Sequence, residues 1–465
     1  MPAKTSAQST ISPSRREAFT ILLEMERSQS HADDLLRGPR VSALSPQDRN
    51  LCTTLVMGTL RWQLRLDAAI RSLLSKPNAR LDPEIQIALR LGAFQLQYLD
   101  RVPAHAAIGE SVALARQAGH KFASGMVNAV LRKLAAQPKP QQFQQAPLSA
   151  IELAAATAHP LWLVERWVAN YSFESAQAIC KHGQQQPELT LRLPNPDIEA
   201  ELAAEGIRLA PGALLTAARR VLSGDITASE AFRSGRLRIQ EEGSQLIAEL
   251  AADVTQLPTR ILDCCAAPGG KTLILAELNP QAQITACEIS PSRLESLKAR
   301  VAASEYATQI HLLQADAAQL PASDTYDFAL ADVPCSGTGT LGRNPEIRHR
   351  LQPADLARHH ERQCAILRGA LRAATSRVVY STCSLEPEEN SAVVAEVLAE
   401  AQDWAQKSVS NVLDELREKG RLTQSGAESL QAAVAADGSL TLLPGSLGAE
   451  NPTDGFFIAI LEKQS

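Results

Sequence analysis

Two cysteines stand where apolar runs stop, each beside residues that could help a thiol react. In "DFALADVPCSGTGTLGRNPEIRHR" (327–350), Cys335 follows Asp332-Val333-Pro334; in "VVYSTCSLEPEEN" (378–390), Cys383 lies between a Thr and a Ser as acids begin. A buried structural cysteine sits more naturally among the valines, and loops carried by a rigid scaffold are where chemistry is done. The thiolate is the reactive form, and a free thiol has a pKa near ~8.5, so such a site must stabilise the ionised sulfur. Taken alone, Cys335 is also compatible with an inert buried thiol. A zinc deaminase would need a second cysteine three positions on, where this chain has Thr338.

A third stretch, "ILDCCAAPGGKT" (261–272), reads as an apolar strand, a turn of small residues and the start of a helix. The turn runs through Cys265, Ala266, Ala267, Pro268, Gly269 and Gly270 to Lys271. Small residues let the backbone approach a nucleoside closely, and in an open α/β sheet such turns lie at the carboxyl ends of the strands, where ligands bind. A phosphate-binding P-loop would need Gly at 265, where Cys stands, and the turn is not a GxGxxG. The next two apolar runs end on acids. Glu288 closes "QITACEIS" and is placed to accept from both hydroxyls of a ribose. Asp316 closes "IHLLQAD", placed to accept from an exocyclic amine such as that of adenine. Either acid alone reads as a solvated strand-end carboxylate, and the turn alone as a tight corner without a ligand. Their succession favours a nucleoside pocket.

The elements that must position these residues alternate. Apolar runs at 260–266, 284–289, 310–315, 327–333 and 377–382 are separated by helical stretches such as "SRLESLKARVAAS" and "PADLARHHERQCAILRGALRAA". That order calls for a mostly parallel sheet covered by helices on both faces, a Rossmann-like α/β domain over 241–465. "SLTLLPG" and "GFFIAILE" add an antiparallel pair at its edge. Upstream, residues 11 to about 137 place apolar residues three and four apart in successive segments, predicting a compact all-α bundle. "QPKPQQFQQAP" (137–147) reads as a linker, and 148–240 as a small mixed α/β connecting subdomain. The expected division is therefore 1–145, with 1–10 disordered, then 148–240 and 241–465.

Strand order brings the motifs together. Cys383, after the fifth strand, falls beside Asp332 and Cys335 at the end of the fourth, next to the nucleoside turn. Two thiols and a carboxylate there suit pyrimidine chemistry. Carbon 5 of cytosine is a poor nucleophile, but a thiolate added to carbon 6 makes the ring an enamine that attacks an electrophilic methyl. Asp332 would hydrogen-bond or protonate ring nitrogen 3, and Cys335 would help the elimination that frees the product.

Charge supports a polyanionic partner at one end. Residues 1–150 carry 19 Lys+Arg against 11 Asp+Glu, a balance of +8, while the rest holds 27 against 40, or −13. A basic helical module joined to an acidic one is expected to meet nucleic acid through phosphates; charge alone also allows a solvated helical surface. The start, "MPAKTSAQSTISPSRR", is not a signal peptide, and no apolar run reaches ~20 residues. Eight cysteines without a CxxC pair suit reduced thiols, so a cytoplasmic protein with no membrane association is expected.

The stretches "RIQEEGSQL", "LDCCAAPGGKT", "DVPCSGTGTLGRNPEI", "YSTCSLEPEEN" and "DGFFIA" together resemble the RsmB/Sun (Fmu) branch of the Sun-type RNA cytosine-5 methyltransferases, and they cover 238–460 in order. "MGTLRWQLRLD", "LRLGAFQLQYLDRVPAHAAIGESV" and "VNAVLRK" resemble the NusB-like helical RNA-binding domain that this branch carries. The resemblance implies S-adenosylmethionine as cosubstrate, bound or lined by the 265–271 loop, Glu288, Asp316 and Asp332, and no metal. It makes Cys383 the nucleophile and Cys335 the thiol assisting release. It implies a cytosine in small-subunit (16S) ribosomal RNA as target. Because that base must leave its stack to reach the thiols, free or partly assembled RNA is expected to be the better substrate, and a monomer is expected. Two departures stand out. Glu288 replaces a common Asp, and His349-Arg350 replaces an aromatic often found after "PEI", which puts a stacking contact to RNA in doubt. The alternatives are the same chemistry on tRNA and a non-catalytic ribosome-assembly factor that uses the fold to clamp RNA. A DNA cytosine-5 methyltransferase, with Cys335 as nucleophile, fits the order of elements poorly.

Overall fold

Proline starts the N-terminal helices and small side chains let them close on one another. Pro13–Arg27, Pro46–Leu73 and Pro83–Tyr98 each carry Pro in their first turn, where its missing N–H has no helical partner to lose. Ser45 caps the longest by accepting from the Asp48 N–H. A Cβ on Gly58 would lie 1.9 Å from the Phe94 ring, so only glycine lets Pro46–Leu73 and Pro83–Tyr98 approach this closely. With Ala104–Gln117 and Ser124–Ala135 they enclose a core that includes Leu55, Leu66, Ile87, Leu91 and Leu131.

The protein is described by a computed structural model over residues 11–28, 30–139, 147–252, 258–321, 325–447 and 453–464. The expected disorder of 1–10 and the 140–146 part of the expected linker lie outside the described residues. The chain divides into two compact units. The first comprises Met1–Gln184 and Leu341–Arg350, so helices Ala150–Thr157, Leu161–Asn170 and Phe173–Gln184 belong with the helical bundle. The stretch read as one 148–240 subdomain is thus cut at 184.

The return of Leu341–Arg350 to the helical unit was not expected. Arg348 is buried and donates to the carbonyls of Arg61 (3.1 Å), Gly183 (3.0 Å), Leu341 (3.3 Å) and Ala158 (3.4 Å). Burial lowers its pKa to about 9. His349 donates from Nε2 to the Leu60 carbonyl at 2.7 Å, and burial lowers its pKa to about 4. Arg350 donates to the carbonyls of Ser30 and Met25, both at 3.0 Å. His349 and Arg350, which stand where an aromatic was expected and a stacking contact to RNA was in doubt, satisfy backbone carbonyls of the helical unit.

The second unit comprises Gln185–Thr340 and Leu351–Ser465. It begins with an antiparallel sheet of β1 (Thr190–Arg192), β2 (Arg208–Pro211), β3 (Ala218–Ser223) and β4 (Arg238–Ile239), ordered β2-β3-β1-β4. Its large sheet contains β5 (Arg260–Asp263), β6 (Gln283–Cys287), β7 (Ile310–Leu313), β8 (Tyr326–Asp332), β9 (Ala374–Thr382), β10 (Trp404–Lys407), β11 (Leu440–Leu442) and β12 (Phe456–Lys463). The order is β10-β12-β9-β8-β5-β6-β7, with β11 paired to β12. β5 to β9 are parallel and β10 to β12 antiparallel, so the expected sheet and its antiparallel edge are both present. β10 is an addition at the edge. Alternation along each strand builds two cores. Ile261, Phe328 and Val379 face one side, with Leu250 and Leu297; Leu262, Ala329 and Tyr380 face the other, with Leu367 and Val394. Among the described residues no helix is long and apolar enough to cross a membrane.

Candidate active site

The parallel strands deliver their carboxyl ends to one edge of the sheet, and the candidate residues follow them. After β5 the chain turns at Cys264 to Gly269, and helix Gly270–Leu278 begins. Cys264 N–H donates to the Leu330 carbonyl and Ala266 N–H to the Cys287 carbonyl, both at 2.9 Å, which pins the turn against β8 and β6. Gly269 has φ 103°, a conformation that disfavours other residues, and a Cβ on it would meet Leu297 at 2.6 Å. Within this turn burial raises the pKa of the Cys264 and Cys265 thiols well above the usual range, so neither suits nucleophilic work.

Lys271, at the end of this turn, reaches across to the neighbouring strand with its side chain. Its ammonium is 2.7 Å from Asp332 Oδ2, while Ser381 Oγ donates to Asp332 Oδ1 at 2.8 Å. The turn after β5 is thereby joined to the end of β8, and both oxygens of Asp332 are oriented. Burial favours loss of the lysine proton, but Asp332 outweighs it and the net pKa is raised. Beneath this pair, Asp263 is buried and accepts from Thr272 Oγ1 at 2.7 Å. Burial is the main cause that lifts its pKa to about 7, and the charge of Asp332 adds to it.

Glu288 and Asp316 follow neighbouring strands, as their sequence positions require. Glu288 is nearly buried; Oε1 accepts from the Ser290 N–H at 2.9 Å, and Arg293 lies 3.5 Å from Oε2. Asp316 is held by a two-pronged contact with Arg362, at 2.7 and 2.9 Å, and accepts from the Ala318 N–H at 3.0 Å. The Arg362 hydrogen bond is the main cause that keeps its carboxyl below the usual range.

The two thiols of the loops after β8 and β9 meet. Cys335 Sγ and Cys383 Sγ are 3.2 Å apart, both partly buried and free of disulfides. The loops are joined by backbone as well: Val333 N–H donates to the Ser381 carbonyl at 3.0 Å and Gly339 N–H to the Cys383 carbonyl at 2.9 Å. The Cys335 thiol is raised well above the ordinary cysteine range, first by its hydrogen bond with Cys383, then by burial and the charges of Cys383 and Glu389.

Sequence reasoning passed over several residues of this site. Glu389 is fully buried and accepts from both Ser336 and Ser384, the residues that follow the two cysteines. Asn390 donates to the Ser384 carbonyl at 2.9 Å. Both residues lie in "EPEEN", which reads as a solvated acidic run. Arg362, too, is one charge among many on a helix and carries no signal of its own.

A possible cation site lies elsewhere in this unit. Among the described residues, His360, Cys364 and Glu396 bring ligand atoms within 4.8 Å of one another. His360 already pairs with Glu396 at 2.8 Å, and Arg368 donates to the same carboxylate at 2.9 Å. A guanidinium on the would-be ligand works against a bound cation.

Comparison with known proteins adds three family matches. Residues 254–462 match the model described as 16S rRNA methyltransferase RsmB/F, residues 12–136 the NusB family, and residues 159–221 an RsmF/B-like ferredoxin-like domain. The probable ribosomal RNA small subunit methyltransferase B of Bacillus subtilis (strain 168) is 33% identical, covering 96% of this chain and 98% of that protein. The probable ribosomal RNA small subunit methyltransferase B of Synechocystis sp. (strain ATCC 27184 / PCC 6803 / Kazusa) is 34% identical over 97% of this chain and 99% of its own. The crystal structure of PH0851 has the same fold, with a TM-score of 0.78 at 21% identity over 98% of this chain and 100% of that one.

Proposed function

Because the chain belongs to the RsmB/F family of 16S rRNA methyltransferases, an S-adenosylmethionine-dependent rRNA methylation follows, and we propose that it is directed to carbon 5 of a cytosine in small-subunit rRNA through a covalent bond to Cys383. The observation that carries this reading is the 3.2 Å approach of Cys335 and Cys383 sulfurs at the ends of adjacent strands. The chemistry needs one thiol to attack and benefits from a second when the adduct breaks.

The chain's own residues account for each step. The small residues of the 265–271 turn suit a nucleoside's close approach, and Gly270 is favoured there because a Cβ on it would lie 2.9 Å from Gln240 Oε1. Glu288 and Asp316 supply acceptors at the ends of β6 and β7, for ribose hydroxyls and the adenine amine respectively. The Cys383 thiolate adds to carbon 6, the ring electrons move toward nitrogen 3, and Asp332 hydrogen-bonds or protonates there. The orientation of Asp332 by Lys271 and Ser381 supports that role. Carbon 5 then takes the methyl carried by the sulfonium. The proton on nitrogen 3 returns to Asp332, the proton left on carbon 5 passes to water, the carbon–sulfur bond at carbon 6 breaks, and Cys383 departs as thiolate. Cys335, raised in pKa, keeps its proton and can hydrogen-bond the departing sulfur.

The basic N-terminal unit would grip RNA phosphates, with affinity falling as salt rises. The target base must leave its stack, which favours free or partly assembled RNA. The test is transfer of a labelled methyl group to small-subunit rRNA from cells lacking this chain, with tRNA from the same cells as control, followed by digestion to nucleosides. Label in 5-methylcytidine of the rRNA, lost in Cys383→Ala, is expected. Label confined to tRNA or to another nucleoside, or full turnover by Cys383→Ala, would overturn the reading.

A further inference from the structure

Glu389 is a carboxylate with no solvent exposure. Among the described residues it has no cationic partner; neutral donors satisfy it. Oε1 accepts from the Ser336 N–H at 2.8 Å and from Gln363 Nε2 at 3.0 Å. Oε2 accepts from Ser384 Oγ at 2.5 Å and from Ser336 Oγ. A buried charge is costly unless such donors replace water, and a neutral or apolar residue would fill the same space with less penalty. What the charge touches explains its presence. Ser336 follows Cys335 and Ser384 follows Cys383, so one carboxylate is bonded to the neighbour of each sulfur. Gln363 extends the clamp, since its Nε2 also donates to the Pro334 carbonyl at 3.0 Å. The Tyr380 hydroxyl donates to the Glu389 carbonyl at 2.6 Å and holds the clamp's own backbone.

We propose that Glu389 is a positioning residue: by tying Ser336 to Ser384 it holds the two sulfurs within hydrogen-bonding reach and so sets how fast the RNA adduct is released. This rests on the covalent reading above. The negative charge has a second consequence in the same direction, because it helps keep the proton on Cys335, the form that can donate to a leaving thiolate. Relaxing the clamp should therefore resemble loss of the Cys335 thiol.

The test uses the full chain, small-subunit rRNA and single-turnover conditions, and follows decay of the protein–RNA adduct on denaturing gels. Decay should slow about tenfold in Glu389→Gln, which keeps the shape but loses the charge, and about a hundredfold in Glu389→Ala. The affinity for S-adenosylmethionine should stay within about twofold, because the clamp does not touch the 265–271 turn. Acting through Cys335, the clamp should add nothing in the double variant: Cys335→Ala/Glu389→Ala should decay no more slowly than Cys335→Ala. A general loss of structure would instead multiply the two effects and weaken cosubstrate binding, and either result overturns the inference. Native decay in Glu389→Gln also overturns it, and that variant decides alone if Glu389→Ala does not fold. Absence of any adduct in Cys335→Ala would overturn the covalent reading itself, whereas an adduct there with native decay in the Glu389 variants would overturn only the clamp.

Discussion

Replacing Asp263 by Asn should stabilise the catalytic unit progressively as pH rises. Asp263 closes β5 just before the 265–271 turn and is 1% exposed, and its pKa in the fold is about 7 against 3.8 for the ordinary group. The folded state thus holds the proton more tightly than the unfolded chain. Below about pH 4 both states are protonated and the group is neutral to stability. As pH climbs toward 7 the unfolded chain ionises while the fold keeps its proton, and stability falls by about 1.4 kcal/mol per pH unit. The loss is complete above the folded pKa, at about 4 kcal/mol in all, and about 3 kcal/mol of it falls between pH 5 and pH 8. Asn keeps an oxygen for the Thr272 hydroxyl and has no proton to lose, so the variant escapes this decline. The assay is urea unfolding at both pH values, read by pulsed deuterium labelling of peptides from β5 and β6 so that only this unit is followed. The stability difference between variant and wild type should widen by about 3 kcal/mol from pH 5 to pH 8. An unchanged difference would show that Asp263 is already ionised in the fold and refute the burial argument.

Two further expectations concern binding. Arg362→Ala should raise KM for S-adenosylmethionine about fivefold and leave kcat unchanged, because it frees a partly exposed pair worth about 1 kcal/mol that orients Asp316; a fall in kcat at constant KM, measured by steady-state methyl transfer, would remove Asp316 from the cosubstrate pocket. Free small-subunit rRNA should be methylated faster than the mature subunit, since the target base must be extruded; equal rates on the two substrates would contradict that.

Much of the catalytic sheet was legible because a parallel sheet buried on both faces leaves continuous apolar runs. The runs at 260–266, 284–289, 310–315, 327–333 and 377–382 coincide with β5 to β9, and the order of those strands was enough to expect the loops of Cys335 and Cys383 side by side. β10 was not legible. "WAQK" has neither an apolar run nor a clear alternation, and it becomes a strand by pairing antiparallel with the end of β12. The burial of Glu389 was hidden for a similar reason: two of its donors come from Ser336, 53 residues away, and an acid among acids reads as solvated. "RHR" at 348–350 looks like a basic surface, yet Arg348 spends its donors on backbone carbonyls of the helical unit. Tertiary partners decide such cases.

The claim on which the mechanism depends is that the sulfur of Cys383, and not that of Cys335, is bonded to the base. Incubation of Cys335→Ala with rRNA and S-adenosylmethionine, followed by nuclease and protease digestion and mass spectrometry, tests it directly. A methylated cytidine carried on the peptide containing Cys383 is the expected result. No adduct from Cys335→Ala, together with a stable adduct on Cys335 in Cys383→Ala, would contradict it.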